Sequence, residues 1–224
     1  HLVSDTIGNT VAKADGGTWS FLDHAGPMDE EDGYKDANQI VGGRMEQGVG
    51  GGVCQVATTV FNAVYEAGLD VDERHNHSLY STSYPAGLDA AVSYPGLDLV
   101  WSNQTSSDVL LRTSYTDSSV TVTLVGIDPE LEVVTETGEW EEGKKHVTEY
   151  EVDETLKEGA SYVKTAGTDG MKISVTRYVK DKDGKRVGWD TFPSVYSPVN
   201  RLIAYGKGSD LAAIKEKYAE NEEE

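Results

Sequence analysis

Residues 48–68 read GVGGGVCQVATTVFNAVYEAG, and this stretch decides how the first half of the chain folds. Apolar side chains fall at Val53, Val56, Ala57, Val60, Phe61, Val64 and Ala67, the spacing of one face of an α-helix. The spacing predicts a helix from Cys54 onward, with Gly68 placed to terminate it. Charge is scarce along it, so the helix is expected to be largely buried. Thr58 and Thr59 are indifferent helix formers, which leaves packing to hold it more than propensity. Gly50, Gly51 and Gly52 stand immediately before it, where backbone can approach a ligand closely.

Upstream, Asn9 to Ala14 is expected to finish a helix that Gly16-Gly17 ends, and Thr18 to Phe21 reads as a short strand. His24 to Asp36 is acidic and turn-rich, an exposed loop, and Ala37 to Val41 a further short strand. Downstream, Leu69 to Arg74 leads toward a strand. Leu97 to Trp101, Val109 to Tyr115 and Val120 to Val125 are strands separated by turns. Short strands around one helix predict an α+β domain, an antiparallel sheet with the central Gly-led helix packed on it.

The composition changes near Asp128-Pro129. Residues 1–129 hold 18 acids and 5 bases, whereas residues 130–224 hold 21 acids and 14 bases. We therefore expect a domain over 1–127, an elongated all-β module over 128–208, and a short C-terminal helix or tail over 209–224. In the second region Glu130 to Glu136, Lys145 to Val152, Ala160 to Ala166, Met171 to Lys180 and Lys185 to Phe192 read as strands. Residues 171, 173, 175 and 179 share one face, and Asp183-Gly184 suits a hairpin turn. The tail carries Leu211, Ile214 and Tyr218 at helical spacing, with Ser209 as N-cap and Glu222 to Glu224 frayed.

The 224 residues carry a formal net charge of −20, which argues strongly against a nucleic-acid partner, whose phosphates are bound by cations. No apolar run reaches the roughly 18 residues of a spanning helix. One cysteine excludes an intrachain disulfide and cysteine-cluster zinc or iron–sulfur sites. The chain begins at His1 with no signal-peptide pattern, the mark of a piece or of a processed protein.

The chemistry gathers around Cys54. In the first turn of a helix, free backbone N–H groups and the helix dipole favour a thiolate, hold a carboxylate or stabilise an oxyanion. Gln55 can present an amide to the same place. A cysteine nucleophile needs a base, and His75 and His77 follow downstream. Asp89 or Asn76 can orient an imidazole. Arg44 and Arg74 stand out as scarce cations, suited to carboxylate recognition or to a buried ion pair. Against these readings, a lone cysteine is often a small buried hydrophobe, the histidines can be structural, and Asp89 can simply cap a turn. The His pair has no third ligand at a metal-binding spacing, and no metal or other cofactor is implied.

Three blocks, Gly50-Gly51-Gly52-Val53-Cys54-Gln55-Val56-Ala57-Thr58-Thr59, Glu73-Arg74-His75-Asn76-His77-Ser78 and Gly87-Leu88-Asp89-Ala90, resemble in order the signature of the VanW family. The resemblance covers roughly residues 5–126. It implies that the family's upstream extension is cut here, with Asp15 to Phe21 the remnant of its proline-glycine turn. It also implies that Cys54, Arg74, His75, His77 and Asp89 form one site. The second region is similar to a G5 domain in Leu156 to Gly159, Gly167 to Gly170, the strand to Tyr178 and Ile203 to Gly206. Together they imply an extracellular or wall-associated protein of a Gram-positive bacterium, with an anchor in the part that is missing. The VanW family takes its name from glycopeptide-resistance clusters.

Three functions follow. The first, slightly preferred, is binding of peptidoglycan or a related glycan or peptide through a pocket near Cys54. Arg44, Gly51, Gly52, Gln55, Arg74 and Tyr84 would be ligand contacts, and Tyr80, Tyr84, Tyr94 and Trp101 would serve for stacking. The second is a cysteine acyl-transfer enzyme on wall peptides, with Cys54 as nucleophile, His77 or His75 as base and Asp89 as orienter. The third is a structural spacer. Oligomeric state is not readable.

Overall fold

The computed structural model describes residues 1–41, 44–49 and 52–219, with residues 36–41 and 44–49 described as backbone only. The chain forms two compact units that do not follow sequence order. One is His1–Glu141 with Lys172–Tyr196; the other is Glu142–Met171 with Ser197–Glu224. The architecture is α+β at the N-terminal side and β-rich after it.

The first unit opens with α1 (Leu2–Ile7), β1 (Thr10–Ala12), β2 (Gly17–Ser20) and α2 (Phe21–Ala25). The hairpin β3 (Asp36–Val41) and β4 (Arg44–Val49) precedes the long helix α3 (Val53–Glu66). Strands β5 (Asp70–Glu73), β6 (Val100–Asn103), β7 (Val109–Tyr115) and β8 (Val120–Val125) follow. They make two three-stranded antiparallel sheets, β2-β6-β5 and β1-β7-β8. Beyond these come β9 (Glu132–Thr137), β10 (Glu141–Glu142), β11 (Thr148–Asp153), β12 (Ser161–Thr165), β13 (Met171–Lys180), β14 (Arg186–Tyr196), β15 (Arg201–Gly206) and α4 (Leu211–Ala219).

Helix α3 is the core element that the apolar spacing indicates. Val53, Val56, Ala57, Val60, Phe61, Val64 and Tyr65 are buried along it, and each large side chain removed from water contributes roughly 1.5–3 kcal/mol. Trp19, Phe21, Leu99, Trp101 and Leu111 belong to the same core. Gly68, φ +72°, follows the helix in the left-handed region that terminates helices cheaply.

The same core continues into β13 and β14. Val175 and Phe192 are part of it, and Phe192 meets Phe61 and Tyr65 with ring centroids 5.5 Å away in each case. Arg177 is fully buried beneath the helix end. It donates to the carbonyls of Tyr65 and Leu69, each at 3.0 Å, and pairs with Asp190 at 2.5 Å. A cation there suits the negative pole of the helix. Gly87, φ +72°, lies so close to β13 that a Cβ on it would stand 2.8 Å from Val175 Cγ2.

The second unit has β15 at the centre of a three-stranded sheet, parallel to β11 and antiparallel to β12. Ile203 of β15 packs with Ile214 and Tyr218 of α4 in a small core.

Several expectations are corrected. Residues 10–12 form strand β1, not the end of a helix; the helix stops at Ile7, and Thr10 to Ala12 instead pair with Val109 to Leu111 of β7. Phe21 opens α2 rather than closing a strand, because Ser20 caps a helix there by accepting from the Asp23 N–H. The cap of α4 is Asp210, whose carboxylate accepts from Ala212 N–H at 2.8 Å. Ser209 instead donates to the Gly206 carbonyl. Trp101 is fully buried beside Trp19 and offers no face for stacking. The tail at 222–224 lies outside the described residues.

Candidate functional site

Cys54 sits in the first turn of α3, where the N-cap is Gly52 with φ 88° and no side chain caps the helix. The leading N–H groups of a helix have no intrahelical partner, so this end is a natural donor site. Cys54 is half-buried, and its thiol donates to the Val92 carbonyl at 3.5 Å. It is also one of the groups that favour the charged form of the His77 imidazole.

His77 is placed by Asp89. One carboxylate oxygen of Asp89 accepts the His77 backbone N–H at 2.7 Å and faces ring Nδ1 at 2.6 Å. That leaves Nε2 as the nitrogen available to the cysteine side. The other oxygen accepts from Arg74 at 3.1 Å and from the Tyr196 hydroxyl at 2.7 Å. Burial disfavours charge on His77, but the hydrogen bonds to Asp89 and Cys54 and the charges of both outweigh it and raise its pKa to about 9. Asp89 is buried too, which would raise its carboxyl. Its hydrogen bonds from His77 and Tyr196 and the charge of Arg74 hold it below the usual range instead. Tyr84 lies stacked over His77, centroids 5.4 Å apart, and burial raises its phenol.

Arg74 is buried by the same cluster rather than turned toward solvent. Its Nε donates to the Asp89 carbonyl at 2.6 Å and its remaining nitrogens to Gly87 O, Pro193 O and Ser194 Oγ. Burial lowers its pKa against the opposing charge of Asp89. It is an internal tie, saturated by acceptors of the fold.

The structure thus brings together Cys54, His77, Asp89, Arg74 and Tyr84. It does not bring His75 into the group: that imidazole faces Glu73 at 2.8 Å and is substantially exposed. Gln55 is exposed and lines, with Gly52 and Val53, a separate cleft of ≈ 570 Å³ bounded by α1 and the β7–β8 turn; Cys54 is not among its lining residues. Gly51 and the Arg44 side chain lie outside the described residues. Tyr196 and Ser194 were missed by the sequence reading, which ended the strand at Phe192. The structure buries Phe192, Ser194 and Tyr196 in alternation along β14, whereas in the sequence Pro193 and Val195 obscure that period.

A family model described as VanW like protein matches residues 1–125, and one described as G5 domain matches residues 132–207. The chain belongs to the VanW family and carries a G5 domain after it. It is 40% identical over 111 residues to YoaR, a Bacillus subtilis (strain 168) protein described as uncharacterized; the match covers 50% of this chain and 37% of that protein. Two solved structures of G5 domains are similar to part of the chain. An IgA1 protease G5 domain is 23% identical, covering 37% of this chain and 98% of its own at TM-score 0.23. The HP0197-G5 structure is 27% identical, covering 34% and 99% at TM-score 0.19. The domain make-up points to a cell-surface, peptidoglycan-associated protein. Among the described residues no helix is long and apolar enough to cross a membrane.

Proposed function

We propose that this chain is a wall-associated protein of a Gram-positive surface whose Cys54–His77–Asp89 site carries out acyl transfer on cell-wall peptides. The observation that supports it most is the imidazole itself: Asp89 holds Nδ1, and the thiol at the head of a helix is among the groups that raise its pKa. In the reaction the Cys54 thiol gives its proton to solvent as Sγ bonds to the substrate carbonyl carbon, since His77, with its pKa raised to about 9, already carries the proton it passes on. The first-turn N–H groups of α3 receive the charge that develops on the carbonyl oxygen. The C–N bond then breaks, the proton passes from His77 to the leaving amine, and a thioester remains on Cys54. Water or a second amine, deprotonated by His77, attacks the thioester and restores the thiol.

The test has two arms: the rate of Cys54 alkylation by iodoacetamide, and mass spectrometry of unalkylated protein after incubation with soluble wall peptides. His77→Ala should slow alkylation about tenfold or more and abolish any acyl adduct, the range a lost acid–base partner produces. Equal alkylation rates in the two proteins would overturn the reading.

A second reading, binding of a wall glycan or peptide without chemistry, is supported by Tyr84, a half-buried aromatic stacked on the His77 imidazole. It requires Cys54→Ala to bind wall fragments as well as the wild type, with no adduct in either.

A further inference from the structure

Asp89 is the hinge of the site, and its four donors come from two segments far apart in sequence. His77 supplies two, on one oxygen; Arg74 and Tyr196 supply one each, on the other. Tyr196 closes β14, inside the stretch matched by the G5 model, yet it is only 3% exposed against the first domain's carboxylate. Its ring closes a three-ring cluster with Tyr80, centroids 5.3 Å apart, and Trp140, at 6.1 Å, which meet each other at 5.0 Å.

The rest of β14's end grips the same segment. Ser194 Oγ and the Pro193 carbonyl tie Arg74 at 3.0 and 3.2 Å. The Asn76 side chain acts as a strand partner to Val195, donating to its carbonyl at 2.9 Å and accepting its N–H at 3.4 Å. The Arg-His-Asn-His run is therefore clamped on β14 at Arg74 and at Asn76, and at its last residue through Asp89.

We propose that β14 is a working part of the Cys54 site and that Tyr196 is a positioning residue, holding the Asp89 carboxylate at the angle that fixes the His77 ring. The proposal rests on the reading of Cys54, His77 and Asp89 as a reacting group. A carboxylate held on one oxygen only by Arg74 can pivot about that contact, and the bond to Nδ1 weakens as it does. The groups facing His77 are Asp89, Cys54 and the Tyr84 ring, with Arg74 and Tyr196 behind Asp89. Of these, Tyr196→Phe removes a single hydroxyl.

The experiment is an NMR pH titration of His77 in the full 224-residue chain labelled with ¹⁵N-histidine, the signal being assigned by its loss in His77→Gln. In Tyr196→Phe the midpoint should fall from its raised value by about half a unit, roughly threefold in proton affinity, and the pH profile of Cys54 alkylation should shift with it. A purely structural role would change the melting temperature and leave the titration in place. An unchanged midpoint, or a raised one, overturns the proposal; a raised one would mean that the hydroxyl only competes for the carboxylate's charge. Should Tyr196→Phe not fold, Ser194→Ala, which loosens Arg74 on the same strand, must lower the midpoint in the same direction, and no shift there overturns it too. Because the titration needs no substrate, a lowered midpoint in a protein that never forms an acyl adduct refutes the transferase reading and leaves the positioning role standing.

Discussion

Two histidine–aspartate pairs in this molecule are built on the same local plan and come to different ends. In each, one carboxylate takes both the backbone N–H and ring Nδ1 of a single histidine, His77 on Asp89 and His146 on Asp169. The distances are close, 2.7 and 2.6 Å in the first, 3.0 and 2.7 Å in the second. The surroundings are not. The Asp89 side chain is 4% exposed and is finished by Arg74 and Tyr196, while Asp169 is 38% exposed and is finished by Lys145, itself mostly in solvent. Lys145 and His146 hold Asp169 well below the usual carboxylate range, but water already screens that pair. The clasp is a common way to fold a loop. On the proposal made above it serves chemistry only at Asp89, where burial strengthens the field.

The largest effect expected from this contrast is at Asp89. Asp89→Asn leaves Arg74 buried without its counter-charge and should cost about 3–5 kcal/mol in urea unfolding, whereas Asp169→Asn should leave the midpoint where it is. Comparable losses in both would dissolve the distinction.

A smaller effect is expected from pH. The folded pKa of His77, about 9, lies above its ordinary 6.5, so the stabilisation it brings is complete below pH 6.5 and is lost as pH rises through 9. Asp89 is lowered, so its share holds above pH 3.8 and is lost as pH falls through its depressed value. The urea midpoint of the wild type should decline between pH 6.5 and 9, and His77→Gln should remove that decline. An alkaline decline that survives the substitution belongs to another group.

The smallest effect is at the surface pair. Lys145→Ala should change neither the melting temperature nor the Cys54 alkylation rate, and a change in either would show that the exposed clasp matters more than its screening allows.

Much of the fold was legible. Helix α3 was, because seven apolar residues repeat on one face; β8 and the first half of β13 were, because apolar and polar residues alternate from Val120 to Leu124 and from Met171 to Thr176, and β7 was as a run that opens apolar at Val109 to Leu111. The first residues were not. Thr10 to Ala12 carry no pattern of their own and become a strand only because β7 offers its edge. The pairing of Cys54 with His77 and Asp89 was legible as a set of residue types, but the choice between His75 and His77 was not. That choice depends on which imidazole Asp89 meets after the chain turns at Pro85-Ala86-Gly87, a non-local fact. Arg177 was the plainest hidden signal. A charged residue in register with buried Ile173, Val175 and Val179 had to be compensated, and the carbonyls at the end of α3 do it.

The close approach of Gly87 to Val175 carries a consequence for how such proteins recombine. Domains joined like beads can be traded at the junction, but here any donor sequence spliced in at the junction must bring a side chain at this position no larger than valine, opposite a backbone that tolerates no methyl group.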